Sequence, residues 1–155
     1  MTEQPLVRTE IKGSIAIVTL NRPEKRNALS QKLYYSLKDT FSELPDAVRA
    51  VVFTGEGKHF CAGLDLAEHR ESEPFESSLF SRASHEIVKS IRYCGRPVIS
   101  ALQGAVIGGG FEMASGKKVR VAGNTTFLPP PQERGGCFFG GGGSVPLSRI
   151  PGTNQ

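Results

Sequence analysis

Three consecutive glycines, Gly108-Gly109-Gly110, stand between the apolar run of Pro97 to Leu102 and the helix-forming stretch Phe111-Glu112-Met113-Ala114. Glycines in that number contribute no side-chain packing, so the stretch Gly104 to Gly116 reads as a loop-to-helix junction where backbone comes close to something else. A strand follows at Val119-Arg120-Val121-Ala122. A second junction of the same kind begins after the buried strand Ala50 to Thr54 and the turn Gly55-Glu56-Gly57-Lys58, in the segment His59-Phe60-Cys61-Ala62-Gly63-Leu64-Asp65-Leu66. Both put small residues just past a strand end, the place where open α/β sheets bind ligands.

The remaining elements follow from periodicity. Leu6 to Ile11 and Ile15 to Leu20 are β-rich and meet through Lys12-Gly13-Ser14, which predicts a hairpin. Ser30 can cap a helix in which Leu33, Leu37, Phe41 and Leu44 recur at three- or four-residue spacing, ending before Pro45. A second amphipathic helix spans Phe75 to Tyr93, with Leu79, Ala83, Ile87 and Ile91 on its inner face. Alternation of strands and helices implies a layered α/β architecture. From Thr125 onward the chain changes character: Pro129-Pro130-Pro131 and Gly140 to Gly143 make it low in complexity, with no closing apolar element.

Composition narrows the function. With 155 residues, 38% hydrophobic and 22% charged, the chain has the bulk of one soluble domain. No apolar run approaches the ~20 residues of a membrane span. The N-terminal MTEQPLVRTE carries acids and lacks the apolar region of a signal peptide, so a cytoplasmic protein is expected. Cys61, Cys94 and Cys137 are widely spaced, without a metal or redox pair. His59, His69 and His85 have no ligand-like spacing either, so no metal site is expected and the histidines read as surface or loop residues. A net charge of +4 admits a polyanionic ligand, and Arg22, Lys25 and Arg26 concentrate it in one proline-containing loop. Nucleic acid is disfavoured, because the basic residues lack interleaved aromatics or a reading motif.

Taken together, the segments FCAGLDL and GAVIGGGFE closely resemble the crotonase (enoyl-CoA hydratase/isomerase) family, whose pattern is F-[SC]-A-G-x-D-[LI] after one strand and G-x-x-x-G-G-G-x-E after another. The opening TLNRPEKRNALS resembles that family's N-terminal loop. The resemblance covers residues 10 to 128 most closely. It implies an α/β fold of the crotonase-like ββα superhelix (spiral) type, with residues 1–155 as an incomplete N-terminal core lacking the C-terminal helical trimerisation part. On that basis the inner faces of the two helices are expected to lack part of their cover.

The resemblance also implies a chemistry. Reaction at the α or β carbon of a thioester passes through an enolate-like state, whose oxygen needs fixed donors. By motif position those donors are the backbone N–H groups of Leu64 and Gly109. Glu112 matches the first of two acid/base glutamates. The second belongs to a segment F-x-x-P-E-x-x-x-G; aligned through Pro131 and Gly136, Gln132 stands in the glutamate slot and Glu133 is one residue off. Gln132 can orient water but cannot take its proton, and Glu133 serves only if the proline run shifts the register. Coenzyme A is implied along Arg22, Lys25, Arg26 and Ala28 and against the backbone of Ala62, Leu64 and Leu66. It is part of the substrate, so no separate cofactor is implied. Asp65 reads as a structural residue holding its turn, and Cys61 as a packing residue.

The implied partners are an acyl-CoA thioester and, for a full-length enzyme, further copies in a homotrimer or hexamer, with no membrane association. Hydration of a 2-enoyl-CoA is the leading reaction. Double-bond isomerisation is the nearest alternative, because one carboxylate can shuttle a proton whereas hydration ordinarily uses two. A non-catalytic acyl-CoA binder is the alternative outside enzymes.

Overall fold

The computed structural model describes residues 4–70, 74–115 and 119–128. Strands β1 (Val7–Lys12) and β2 (Ile15–Leu20) form the expected antiparallel hairpin, with Lys12 opposite Ile15 and Gly13-Ser14 as its two-residue turn. From β2 onward every strand runs parallel to the one before: β3 (Ala50–Gly55), β4 (Val98–Leu102) and β5 (Val119–Ala122), in sheet order β1-β2-β3-β4-β5.

Parallel neighbours require a crossover. Helix α1 (Gln31–Ser42) joins β2 to β3, α2 (Leu66–Arg70) and α3 (Pro74–Arg92) join β3 to β4, and α4 (Gly109–Ser115) precedes β5. Ser30 caps α1 as its position predicts, its hydroxyl accepting from the Leu33 amide at 3.2 Å. The helix stops at Ser42, so Leu44 is buried beyond the helix rather than on its last turn. Arg96 holds that segment against the start of β4, donating to the carbonyls of Leu44, Pro45 and Val48.

Strand register explains the core. Ala16 lies opposite Val51 and Val18 opposite Phe53, so inward-facing residues of neighbouring strands stack in rows. These four are fully buried, together with Leu33 and Leu37 of α1. Phe53 meets Phe41 and Phe60 edge-on, at centroid distances of 5.6 and 5.3 Å. Each such side chain contributes about 1.5 to 3 kcal/mol by leaving water. The expectation that the helix faces lack cover is therefore wrong for Leu33, Leu37, Phe41, Ile87 and Ile91, which are all buried. The two helices cover one another and the sheet. β5 and the residues after it are among the places where apolar side chains are exposed, Val119, Val121 and Phe127 at 49%, 60% and 59%.

Past the strand ends the chain pairs a second time. Leu29 bridges Leu64, Cys61 bridges Val106, and Ala105 bridges Phe127, all in parallel. These bridges repeat the order β2, β3, β4, β5, so each turn of chain contributes a strand, a short second pairing and then a helix or the next turn. That repeat is the ββα spiral, and it stacks three loops side by side at one edge of the sheet.

Candidate active site

Because β2, β3 and β4 are parallel, the loops that leave their C-terminal ends gather on one edge. The first carries a short 3-10 turn, Pro23–Lys25, after which Arg26 and Asn27 adopt left-handed backbone, φ 51° and 55°. Asparagine tolerates that region better than most residues. Asn27 is fully buried. Its amide nitrogen donates to the carbonyls of Glu56 (3.0 Å) and His59 (2.8 Å), and its side-chain oxygen accepts from the Arg22 amide at 2.9 Å. One side chain thus closes its own loop and fastens it to the loop after β3. Sequence reasoning had not given Asn27 this role; the available signal was a turn-forming residue next to a proline-containing basic loop.

The loop after β3 is held on both sides. Leu29 donates to the Gly63 carbonyl at 2.7 Å and accepts from the Asp65 amide at 3.1 Å. In a parallel ladder those two bonds flank the residue between them, so the N–H of Leu64 points to the other edge of its segment. On that edge, Cys61 exchanges backbone bonds with Ala105 (3.1 Å) and Ile107 (3.0 Å), drawing the loop after β4 alongside. Gly63, at φ 85°, packs directly on it: a Cβ there would lie 2.9 Å from the Ile107 carbonyl oxygen, and one on Gly108 would lie 4.0 Å from the Gly63 Cα. Leu64 and Gly109 each follow one member of this contact pair. Among the described residues, neither of their amides donates to a backbone carbonyl.

Gly109 opens α4, and the Glu112 amide one turn on donates to the Gly108 carbonyl at 3.0 Å. The Glu112 side chain is buried, at 3% exposure. Beside them stands Tyr34 of α1, which sequence reasoning passed over as a helix residue between core leucines. A Cβ on Gly109 would lie 3.4 Å from the Tyr34 hydroxyl and 2.8 Å from Leu29 Cδ1. Burial pushes the Tyr34 phenol far above its ordinary value; the Ser84 hydroxyl bonded to it works the other way, while the charges of Cys61 and Glu112 add to the rise.

The basic cluster divides. Arg22 turns inward, its guanidinium 2.6 Å from the Asp65 carboxylate and 3.1 Å from the Ala28 carbonyl. Lys25 and Arg26 are exposed. Ala62 is half-buried and its amide is occupied by the Arg26 carbonyl at 3.0 Å, while Leu66 is 60% exposed. Asp65 also accepts from the Ala67 amide at 3.1 Å, in keeping with its expected structural part. Desolvation alone would raise its carboxyl; the bonds and charge of Arg22, with the amides of Ala67 and Glu68, outweigh this and hold it below the ordinary value.

His59 is a half-buried residue of the loop after β3. Its Nδ1 accepts from the Ala105 amide at 3.1 Å, so it ties two site loops together. His85 is exposed, and the side chain of His69 lies outside the described residues. Cys61 is fully buried, its thiol pushed up to about 12 by burial and donating to the Asn27 carbonyl at 3.1 Å, which suits a packing residue. Gln132, Glu133 and Cys137 lie outside the described residues. Among the described residues no group of three or more His, Cys, Asp or Glu side chains is placed to hold a metal, and no helix is long and apolar enough to cross a membrane.

Comparison with known proteins places this geometry. The family model described as enoyl-CoA hydratase/isomerase matches residues 10–155. The short-chain-enoyl-CoA hydratase of Clostridium acetobutylicum is 34% identical over 116 residues, which are 73% of this chain and 44% of that relative. The crystal structure of enoyl-CoA hydratase from Thermoplasma volcanium GSS1 superposes with a TM-score of 0.88 at 33% identity, covering 96% of this chain and 60% of that one. A Thermobifida fusca YX protein solved in complex with CoA superposes with a TM-score of 0.82 at 29% identity, covering 94% and 60%. The chain spans about half the length of the curated relatives it matches.

Proposed function

The chain belongs to the enoyl-CoA hydratase/isomerase family, and from that premise we propose that it supplies the acyl-CoA-binding and enolate-stabilising core of an enzyme that adds water to a 2-enoyl-CoA. The observation that carries this is the contact of Gly63 with the Ile107-Gly108 backbone. That contact supports a reading in which the amides of Leu64 and Gly109, each one residue further on, share a single thioester oxygen. As negative charge builds on that oxygen, two fixed donors stabilise it; one such donor is worth about 3 to 4 kcal/mol at the transition state.

Glu112, one turn into α4, acts on the carbons next to that carbonyl. It takes a proton from water as the hydroxyl bonds to C3, and the protonated carboxyl then returns that proton to C2 of the enolate on the same face, so that the elements of water add syn and the carboxylate is restored. Gln132 or Glu133 is the partner in the second glutamate slot. Lys25 and Arg26 hold coenzyme A phosphates at the open edge of the site, and Arg22 acts on the same loop through Asp65 and Ala28. The backbone around Ala28, Ala62 and Leu66 lines the path of the pantetheine. A cytoplasmic homotrimer or hexamer, buried in part through the apolar face of β5, completes the reading. Isomerisation is the second reading, favoured because Glu112 and Asp65 are the only buried carboxylates among the described residues and Asp65 is engaged by Arg22.

The test is turnover of crotonyl-CoA by the wild type and by Glu112→Gln, beside a coenzyme A binding titration of both. Glu112→Gln keeps the shape and removes the base, so turnover falls by about a hundredfold or more while binding persists. Full activity in Glu112→Gln would move the proton transfer to another group, with Glu133 first in line. Binding without turnover in either protein would make the chain an acyl-CoA binder.

A further inference from the structure

The ladder that joins the loops after β3 and β4 has one irregular rung. Around Cys61 the pairing is that of a parallel sheet: the Cys61 amide donates to the Ala105 carbonyl at 3.1 Å, and the Ile107 amide donates to the Cys61 carbonyl at 3.0 Å. Evenly spaced rungs would have the Ala105 amide donate to the carbonyl of His59, two residues before Cys61. That carbonyl is turned to the Asn27 side chain, which donates to it at 2.8 Å. The Ala105 amide donates to His59 Nδ1 at 3.1 Å, so the ring stands in for the backbone carbonyl of its own residue.

The backbone on either side is shaped around the ring. Gly104 stands at φ 53°, and a Cβ there would lie 2.6 Å from His59 Nδ1 and overlap the Lys58 carbonyl oxygen. Toward the strands, the Phe60 amide donates to the Gln103 carbonyl at 2.7 Å, and the Gln103 side-chain nitrogen donates to the Gly55 carbonyl. Both ends of the irregular stretch are pinned. An imidazole nitrogen accepts an N–H only through its lone pair, so Nδ1 carries no proton and Nε2 carries the one that the neutral ring has. A second proton would make Nδ1 a donor facing a donor. A backbone carbonyl would supply this rung at every pH; the ring supplies it only when neutral. Beyond the rung come the Cys61 pairing, the contact of Gly63 with Ile107-Gly108, and then Leu64 and Gly109.

We propose that His59 is a positioning residue for the oxyanion donors: its neutral ring replaces a backbone carbonyl as the rung that seats the loop after β4, and protonation of the ring breaks that rung and loosens the donor pair in acid. The inference rests on Leu64 and Gly109 being those donors. Charged and titratable groups on the elements around the ring are few. The loop after β4, Gln103 to Gly108, carries none, and neither does the stretch Gly123 to Leu128 that pairs beyond it. The loop after β2 brings the uncharged Asn27 to His59, with Glu24, Lys25 and Arg26 exposed and Arg22 engaged by Asp65. The loop after β3 itself carries exposed Lys58, Glu56 paired with Arg8 of β1, and the buried Cys61 thiol. None of these residues changes in the variants below.

The experiment follows the full chain by NMR between about pH 8 and about pH 5, where imidazoles take up a proton, with histidine labelled at the ring nitrogens. The His59 signals are assigned by their loss in His59→Asn. At the upper end Nδ1 of His59 reads as unprotonated, and on acidification the Ala105 amide signal moves with the midpoint of the His59 ring. In His59→Asn, whose side-chain oxygen lies where Nδ1 lay and does not ionise, the Ala105 amide stays protected and ceases to respond to pH. In His59→Ala it exchanges about fivefold to tenfold faster even at the upper end. Where crotonyl-CoA is turned over, His59→Ala lowers kcat about tenfold with KM little changed. His59→Asn recovers most of that loss, and its activity declines less steeply in acid than that of wild type. A wild-type Nδ1 that carries the proton at the upper end, or an Ala105 amide indifferent to the ring, overturns the inference whatever the activity; this readout needs no variant beyond the assignment. A folded His59→Ala with wild-type kcat overturns the positioning role. An inert wild type in which Ala105 still follows the ring upholds the rung, while the hydratase reading alone fails.

Discussion

Arg22 and Asp65, 43 positions apart, meet at 2.6 Å with their side chains 16% and 10% exposed, and through them the loop after β2 is locked to the loop after β3. The contact makes the site's integrity depend on pH. The folded Asp65 carboxyl binds its proton less readily than the unfolded one. Its contribution to stability is therefore complete above the unfolded value, about 4, and is lost as pH falls through the lower folded value. Asp65→Asn should lower stability by about 2 kcal/mol near neutrality, between the worth of exposed and of fully buried pairs. It should also flatten the decline in acid. Urea denaturation midpoints followed from about pH 7 to about pH 3 read both effects; a mutant as stable as wild type across that range would reduce the pair to a passive contact.

Gly63 admits no side chain. A Cβ there meets the Ile107 carbonyl oxygen at 2.9 Å, and the backbone stands at φ 85°. Gly63→Ala should destabilise by about 1 to 3 kcal/mol and lower turnover more than acyl-CoA affinity, since the displaced peptide is the neighbour of the Leu64 amide. Gly95→Ala is the control, because Gly95 has φ 74° with nothing within 4 Å of a Cβ. It bears only the backbone penalty, about 1 kcal/mol. Equal effects of the two substitutions on thermal unfolding and on turnover would remove the Gly63 contact from the account of the oxyanion site.

Lys25 and Arg26 are the exposed members of the basic loop, whereas Arg22 is engaged by Asp65. Reversing the charge at both exposed positions, Lys25→Glu with Arg26→Glu, should weaken acyl-CoA binding about tenfold or more at low ionic strength and by less at high salt. A calorimetric titration at two salt concentrations separates this from a folding defect, which salt would not selectively mask. Unchanged affinity at low salt would place the coenzyme A phosphates elsewhere.

Much of the architecture is a local property of the chain. The alternation of Ala16, Val18 and Leu20, the spacing of Leu33, Leu37 and Phe41, the Ser30 cap and the glycine junctions each act within a few residues, so they are readable without knowing what lies across the core. Leu64, Gly109 and Glu112 are singled out by the resemblance of FCAGLDL and GAVIGGGFE to a family pattern, which no local periodicity or propensity supplies. Partners contributed by distant loops are not local. Arg22 carries the same charge as Lys25 and Arg26 in the sequence, and only the arrival of Asp65 beside it turns it inward. Asn27 finds the Glu56 and His59 carbonyls, and His59 the Ala105 amide, because the spiral lays three loops edge to edge. Tyr34 reads as one more residue of an amphipathic helix until Ser84 and the start of α4 close around its hydroxyl. Periodicity decided which face of each element is buried; burial against particular neighbours, each needing a donor or acceptor once water is gone, decided what the polar residues on those faces do.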